Sequence, residues 1–199
     1  MHLVVAEGVA QARPDWDVAA VWLGALAPDA SGDKRVSHLK GPRYAASDGA
    51  PFGLGEFLRR FGPNLRDPVA AAFYAGYWSH LVADDLMAQW LYFSGLKDKL
   101  AATPRGLATL YDDYDVLNAG LARRLPPPEV VRARLGTPLD VARACPLIEA
   151  SRLTPVLEAT WAHANASDGG QEPQWLAAAL VDGYLERAVA RSLEGLGGA

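Results

Sequence analysis

Apolar residues recur along most of this chain at intervals of three and four positions, which is the spacing of one face of an α-helix. No segment combines strict alternation of apolar and polar positions with enrichment in β-branched residues, the pattern of a strand. The sequence therefore predicts an all-α protein whose longest, central helix covers residues 68–94. The other predicted helices cover residues 2–12, 15–27, 53–61, 104–124, 128–135, 138–145, 154–165 and 173–194, and residues 28–52 form the longest predicted irregular stretch.

Several of these helices are predicted to begin with a capping residue followed at once by proline. The side-chain oxygen of such a residue accepts hydrogen bonds from free amides of the first turn, and a proline at the first helical position loses no hydrogen bond. Gly95 is predicted to end the longest helix. The predicted starts are Asp67-Pro68, Thr103-Pro104, Thr137-Pro138 and Thr154-Pro155.

Composition restricts the architecture and the partners. Of the 199 residues 50% are hydrophobic and 21% are charged, so residues 1–199 are expected to form a single compact all-helical domain. The net charge of -4 argues against a nucleic-acid partner. We expect no signal peptide, because Glu7 interrupts the apolar N-terminal run, and no integral membrane segment, so the expected location is cytoplasmic. The single cysteine, Cys145, excludes an internal disulfide and a cysteine-rich zinc site.

A pair of polar residues interrupts the apolar face of the longest predicted helix. His80 and Asp84 are four positions apart and therefore lie one turn apart on one face. A carboxylate on a core-facing stripe is unfavourable unless a positive group satisfies it. A metal ion would satisfy both side chains, so the pair is a candidate metal site. The neighbours on that face are large and apolar: Phe73, Tyr77, Met87 and Leu91.

The scarcity of histidine excludes several enzyme classes. No histidine is followed by aspartate, and the chain contains neither His-Glu-x-x-His nor Glu-x-x-His, which argues against HD phosphohydrolases, zincins and ferritin-like di-iron proteins. The chain also lacks a Gly-x-Ser-x-Gly elbow and a phosphate-binding glycine loop. The histidines are His2, His38, His80 and His163.

Three short patches occur in an order that is known from one family. Residues 24–29 read Gly-x-x-x-Pro-Asp, residues 37–38 read Ser-His, and residues 76–84 read Gly-Tyr-x-x-His-Leu-x-x-Asp. Over about residues 1–95 the chain therefore resembles the bacterial zinc-dependent phospholipase C family. The third patch is the most specific of the three.

The resemblance implies an all-α fold with zinc held between helices and hydrolysis of a small-molecule or lipid phosphoester. At the matched positions the implied metal ligands are Asp29, His38, His80 and Asp84. His2 also fits, because members often carry a histidine close to the N-terminus. The chain has fewer histidines than the trinuclear site of the family needs, so we expect one or two ions, with manganese or iron as alternatives to zinc.

Two further carboxylates, Asp85 and Asp115, are candidates to orient the attacking water. Asp85 would accept a hydrogen bond from a metal ligand, act as a bridging ligand between ions, or face solvent. Asp115 is expected to be half-buried near the metal, beside leucines of its helix. Asp112 and Asp113 are expected to face solvent.

Three functional hypotheses follow. In the first, the metal activates water for hydrolysis of a phosphate ester. In the second, the metal is structural or vestigial, because a closed tetrahedral site leaves no position for water. In the third, the protein is a helical binding module without metal, in which His80 and Asp84 only hydrogen-bond to each other.

Overall fold

In the computed structural model, which describes residues 1–40, 53–67, 69–136, 140–165 and 172–197, the chain is helical, and these ranges contain no β-strand. The predicted all-α class is confirmed. Pro68, the Thr137-Pro138 start and residues 41–52 of the predicted irregular stretch lie outside the described residues. The helices are α1 (His2–Ala12), α2 (Val18–Leu26), α3 (Lys34–Ser37), α4 (Leu54–Phe61), α5 (Ala71–Phe93), α6 (Leu96–Ala101), α7 (Ala108–Ala122), α8 (Pro128–Leu135), α9 (Asp140–Ala144), α10 (Ala150–Asn165) and α11 (Ala178–Gly197), with 3₁₀ turns at Ala27–Ala30 and Asn64–Arg66.

The long predicted helix corresponds to α5, with its start shifted by one turn. Asp67 Oδ1 accepts hydrogen bonds from the amides of Val69 (2.8 Å) and Ala70 (3.0 Å), just before the helix begins at Ala71. The predicted end is confirmed, because Gly95 follows the helix with a φ of 68° in the left-handed region.

Two of the predicted helix starts are wrong. The Thr103 hydroxyl donates to the carbonyl of Leu100 (2.7 Å) at the end of α6, a helix that the sequence analysis missed, and α7 begins at Ala108. Pro155 lies inside α10, because that helix begins at Ala150. A proline at this position removes one intrahelical hydrogen bond and crowds the carbonyl four residues before it, and α10 nevertheless continues through it.

The central position belongs to α5, which packs against α1, α2 and α11. Residues 71–83 are all buried, so this part of the helix has no solvent-facing side. From α5 the Trp78 indole donates to the carbonyl of Ser192 (3.0 Å), and from α11 the Tyr184 hydroxyl donates to the carbonyl of Ala83 (2.9 Å). Neither this helix nor any other in the described ranges combines the length and the apolar content of a membrane-spanning segment.

Two glycines allow α2 and α5 to touch backbone to backbone. A methyl group on Gly76 would lie 1.9 Å from the carbonyl oxygen of Val21, and one on Gly24 would lie 1.9 Å from the carbonyl oxygen of Phe73. Non-bonded atoms do not approach this closely, so the crossing requires glycine on both helices. The same crossing brings the carbonyl of Ala25 against α5, beside His80.

We predict that Gly76→Ala lowers the free energy of unfolding by about 3 kcal/mol, because the added methyl group meets main-chain atoms that can move only if the helices separate. Urea denaturation followed by circular dichroism measures this change.

The matched control is Gly183→Ala in the interior of α11. A methyl group there would first meet Arg187 Nη1 at 3.4 Å, the end of a flexible side chain. Since alanine favours the helix over glycine, this variant should be unchanged or more stable by about 0.5–1 kcal/mol. Equal stability of the two variants would contradict the account of the crossing.

Candidate metal centre

His80 and Asp84 face the same space from successive turns of α5. His80 Nε2 lies 3.5 Å from Asp84 Oδ2. The imidazole is 1% exposed, whereas the Asp84 side chain is 27% exposed. The pair therefore stands at the edge of the core, with the carboxylate on the solvent side.

His38 reaches this pair from the short helix α3, of which it is the C-cap. Its Nε2 atom lies 3.2 Å from His80 Nε2 and 3.1 Å from Asp84 Oδ2. Its Nδ1 atom lies 2.9 Å from the hydroxyl of Ser37, whose carbonyl accepts a hydrogen bond from the Tyr77 hydroxyl (2.7 Å). Tyr77 of α5 thus ties the end of α3 to the helix that carries the other two donors.

The backbone fixes which nitrogen of His80 can bind a cation. His80 Nδ1 lies 2.7 Å from the carbonyl oxygen of Ala25. A carbonyl oxygen only accepts, so Nδ1 must carry a proton. In the neutral ring the lone pair is then on Nε2, the atom that faces His38 and Asp84. This carbonyl contact is the usual way in which a ligating histidine is oriented.

The three donor atoms are separated by the distances of a metal coordination sphere. A zinc ion held tetrahedrally at about 2.0–2.1 Å separates its ligand atoms by about 3.3–3.4 Å. The separations among His38 Nε2, His80 Nε2 and Asp84 Oδ2 are 3.1, 3.2 and 3.5 Å. Three acceptors that converge in this way require protons or a cation between them.

His2 and Asp29 complete a second group that shares His80. Donor atoms of His2, Asp29 and His80 all lie within 4.8 Å of one another. The His2 ring stacks on the His80 ring with centroids 3.8 Å apart, and His2 Nε2 lies 3.5 Å from Asp84 Oδ1. His2 Nδ1 is buried and has no hydrogen-bond partner among the described residues. Because His80 Nδ1 is used by Ala25, only His80 Nε2 remains to bind an ion.

The charges around Asp84 shift the pKa values of the donors in different directions. Burial acts to raise the pKa of Asp84, but His80, His38 and His2 outweigh it and hold that pKa well below its ordinary value. Burial, with the neighbouring His80, lowers the pKa of His2 to about 3. Burial acts to lower the pKa of His80, but Asp84 raises it above the ordinary value. Of the three imidazoles around Asp84, His80 is thus the one whose protonated form is favoured.

The structure therefore brings together all five predicted ligands, which we call the donor cluster: His2, Asp29, His38, His80 and Asp84. The two predicted catalytic carboxylates are elsewhere. Asp85 is 1% exposed, and its Oδ2 atom accepts a hydrogen bond from Gln89 (2.8 Å) and lies 3.1 Å from Arg191 of α11. Its carboxylate is thus paired with a guanidinium of α11.

The expectation for α7 is reversed, because Asp113 is buried and Asp115 is exposed. Asp113 lies three residues after Leu110 and four before Leu117, so it shares their inward face. Its carboxylate accepts three hydrogen bonds of 2.6–2.8 Å from the amides of residues 174–176. Asp113 therefore anchors the segment that leads into α11.

Sequence analysis missed Lys34, whose Nζ atom lies 2.9 Å from Asp29 Oδ1. Its position gave one signal, since it lies between two of the three patches, five residues after Asp29 and four before His38.

Comparison of the chain with protein-family models, with curated proteins and with solved structures finds no match in any of the three.

We predict that Asp84→Asn weakens zinc binding by more than about tenfold. Loss of a residue that only hydrogen-bonds to a metal ligand already lowers metal affinity by about 10–100-fold, and Asp84 is proposed to be a ligand itself. Competition with a chromophoric chelator measures the affinity. The control is Asp115→Asn, the same change on an exposed carboxylate outside the donor cluster, which should stay within about twofold of the unmodified protein. Equal affinities in the two variants would remove Asp84 from the ligands.

A second pair of variants tests the reversed roles on α7. Asp113→Ala leaves three amides without their acceptor and should lower the free energy of unfolding by about 2–4 kcal/mol. Asp115→Ala should change it by no more than about 0.5 kcal/mol, as is usual for an exposed residue. Urea denaturation of both variants decides the matter, and a larger loss for Asp115→Ala would overturn the assignment.

Proposed function

We propose that the protein is a metal-dependent hydrolase of phosphate esters, similar in chemistry to the zinc-dependent phospholipases C. The observation that carries the proposal is the convergence of His38, His80 and Asp84 at separations of 3.1–3.5 Å. These separations are close to those of ligand atoms around a tetrahedral zinc ion. Zinc is the proposed cofactor, as one or two ions, with manganese or iron as alternatives.

A site open on one side favours turnover over a purely structural role. His38 and His80 are 2% and 1% exposed, whereas the side chains of His2 and Asp84 are 26% and 27% exposed. Structural zinc sites are closed by four protein ligands, whereas catalytic sites keep a position open. The buried imidazoles would hold the ion from the protein side, and the carboxylates would border the side from which a substrate enters.

His80 and Asp84 have distinct parts in this proposal. A divalent ion held there would polarise a phosphoryl oxygen and lower the pKa of water. The Ala25 carbonyl keeps the His80 proton on Nδ1, so Nε2 remains a donor to the ion. Asp84 presents Oδ1 toward His2 and Oδ2 toward His38 and His80. Its two oxygens therefore face the two groups of donors, that of His2 and Asp29 and that of His38 and His80.

The order of the sequence patches gives independent support. Residues 24–29, 37–38 and 76–84, which carry the resemblance, contribute four of the five side chains of the donor cluster. The proposed substrates are accordingly small-molecule or lipid phosphoesters, and the proposed location is cytoplasmic. In the alternative, the metal is structural and the protein has no turnover.

We expect slow cleavage of bis-p-nitrophenyl phosphate that a chelator abolishes and that zinc or manganese restores, because an ion in the donor cluster would polarise the phosphoryl oxygen and lower the pKa of the attacking water. Metal content is measured by mass spectrometry on the same sample. The Asp84→Asn variant should lose activity together with metal, and its circular dichroism spectrum should be unchanged.

Two outcomes would count against the proposal. Activity that survives both the chelator and Asp84→Asn would come from a contaminant or a metal-free mechanism. Metal-loaded protein that cleaves no phosphate monoester, diester or phospholipid would favour the structural alternative.

A further inference from the structure

A short helix places a lysine beside the donor cluster. Lys34 is the first residue of α3, and His38 is its C-cap. Asp33 fixes the start of this helix, because its Oδ1 atom accepts a hydrogen bond from the amide of Arg35 (2.9 Å). One helical turn therefore sets the position of both the histidine and the lysine.

The Lys34 ammonium is held loosely and is accessible. It lies 2.9 Å from Asp29 Oδ1, and the two side chains are 64% and 33% exposed. An ion pair this exposed contributes about 0–1 kcal/mol. The ammonium can therefore move to another anion at little cost.

A second lysine stands on the other side of His38. The amide of Lys40 donates to the carbonyl of Arg35 (2.8 Å), which folds the chain back over α3. In the sequence, lysines thus lie on both sides of His38, four residues before it and two residues after it.

The balance of charge indicates what Lys34 binds. A divalent ion in the donor cluster would offset the carboxylates of Asp29 and Asp84, and the imidazoles add no charge when they bind metal. The ammonium group of Lys34 would then leave an excess of positive charge. A phosphate dianion matches this excess, whereas a cationic head group such as choline is repelled by it.

We propose that Lys34 is a substrate-recognition residue that binds a non-bridging oxygen of a terminal phosphate group, so that the preferred substrates are phosphate monoesters. This inference rests on the proposed function, because it takes the donor cluster to hold a divalent ion. It narrows the substrate class from phosphate esters in general to those that carry a dianion.

The test measures binding of inorganic phosphate to zinc-loaded protein by isothermal titration calorimetry. Lys34→Gln should weaken binding by about tenfold or more, the usual effect of losing a charge-assisted hydrogen bond. Lys34→Arg, which keeps the charge, should restore most of the affinity. Arg35→Gln removes an equal charge from the same helix, where Arg35 pairs with Asp33, and should change the affinity by less than about twofold.

Kinetics give a second readout on the unmodified enzyme. The value of kcat/KM for p-nitrophenyl phosphate should exceed that for p-nitrophenyl phosphorylcholine, and Lys34→Gln should raise KM for the monoester more than it lowers kcat. A preference for the choline ester, or equal phosphate affinity in the Lys34→Gln and Arg35→Gln variants, would overturn the inference.

The two proposals fail in different ways. Protein that takes up zinc but binds no inorganic phosphate refutes the role of Lys34 and leaves the metal centre in place. Protein that takes up no metal refutes both proposals.

Discussion

The contact between the backbones of α2 and α5 is the constraint on which the candidate site depends. Gly24 and Gly76 have no side chains, so each helix lies against a carbonyl of the other. Only at this separation does the Ala25 carbonyl reach His80 Nδ1, at 2.7 Å. That hydrogen bond satisfies a buried polar nitrogen and also directs the opposite nitrogen toward His38 and Asp84. The geometry of helix packing thus determines the chemistry of the site.

The remaining donors are attached to this crossing by short segments with their own local anchors. Asp29 lies in the 3₁₀ turn that continues α2, and Asp33 starts the single turn of α3 that ends at His38. The Tyr77 hydroxyl then binds the carbonyl of Ser37 from α5 itself (2.7 Å). Asp29 and His38 therefore lie on short elements that begin close to them in the chain, and Tyr77 fixes one of these elements to α5, which is how a site gains precision without a large framework of its own.

The sequence predicted those features that depend on local spacing. The separation of His80 from Asp84 places them on one face of any helix. The assignment on α7 failed for a different reason. Leu110 and Leu117 place both Asp113 and Tyr114 near the core, and what selects Asp113 is a set of amides some 60 residues away in the chain. Pairings of this kind, like that of Asp85 with Arg191, depend on tertiary structure.

The C-terminal half of the chain acts on the site through Asp85. Asp84 and Asp85 are consecutive on α5, so their side chains leave the helix about 100° apart. Both carboxylates need positive partners, because burial of an uncompensated charge is costly. Arg191 of α11 lies 3.1 Å from Asp85, while the imidazoles surround Asp84. Because Arg191 compensates Asp85 separately, Asp85 needs no imidazole as its partner, so a helix far beyond the three patches completes the balance of charge beside the donor cluster.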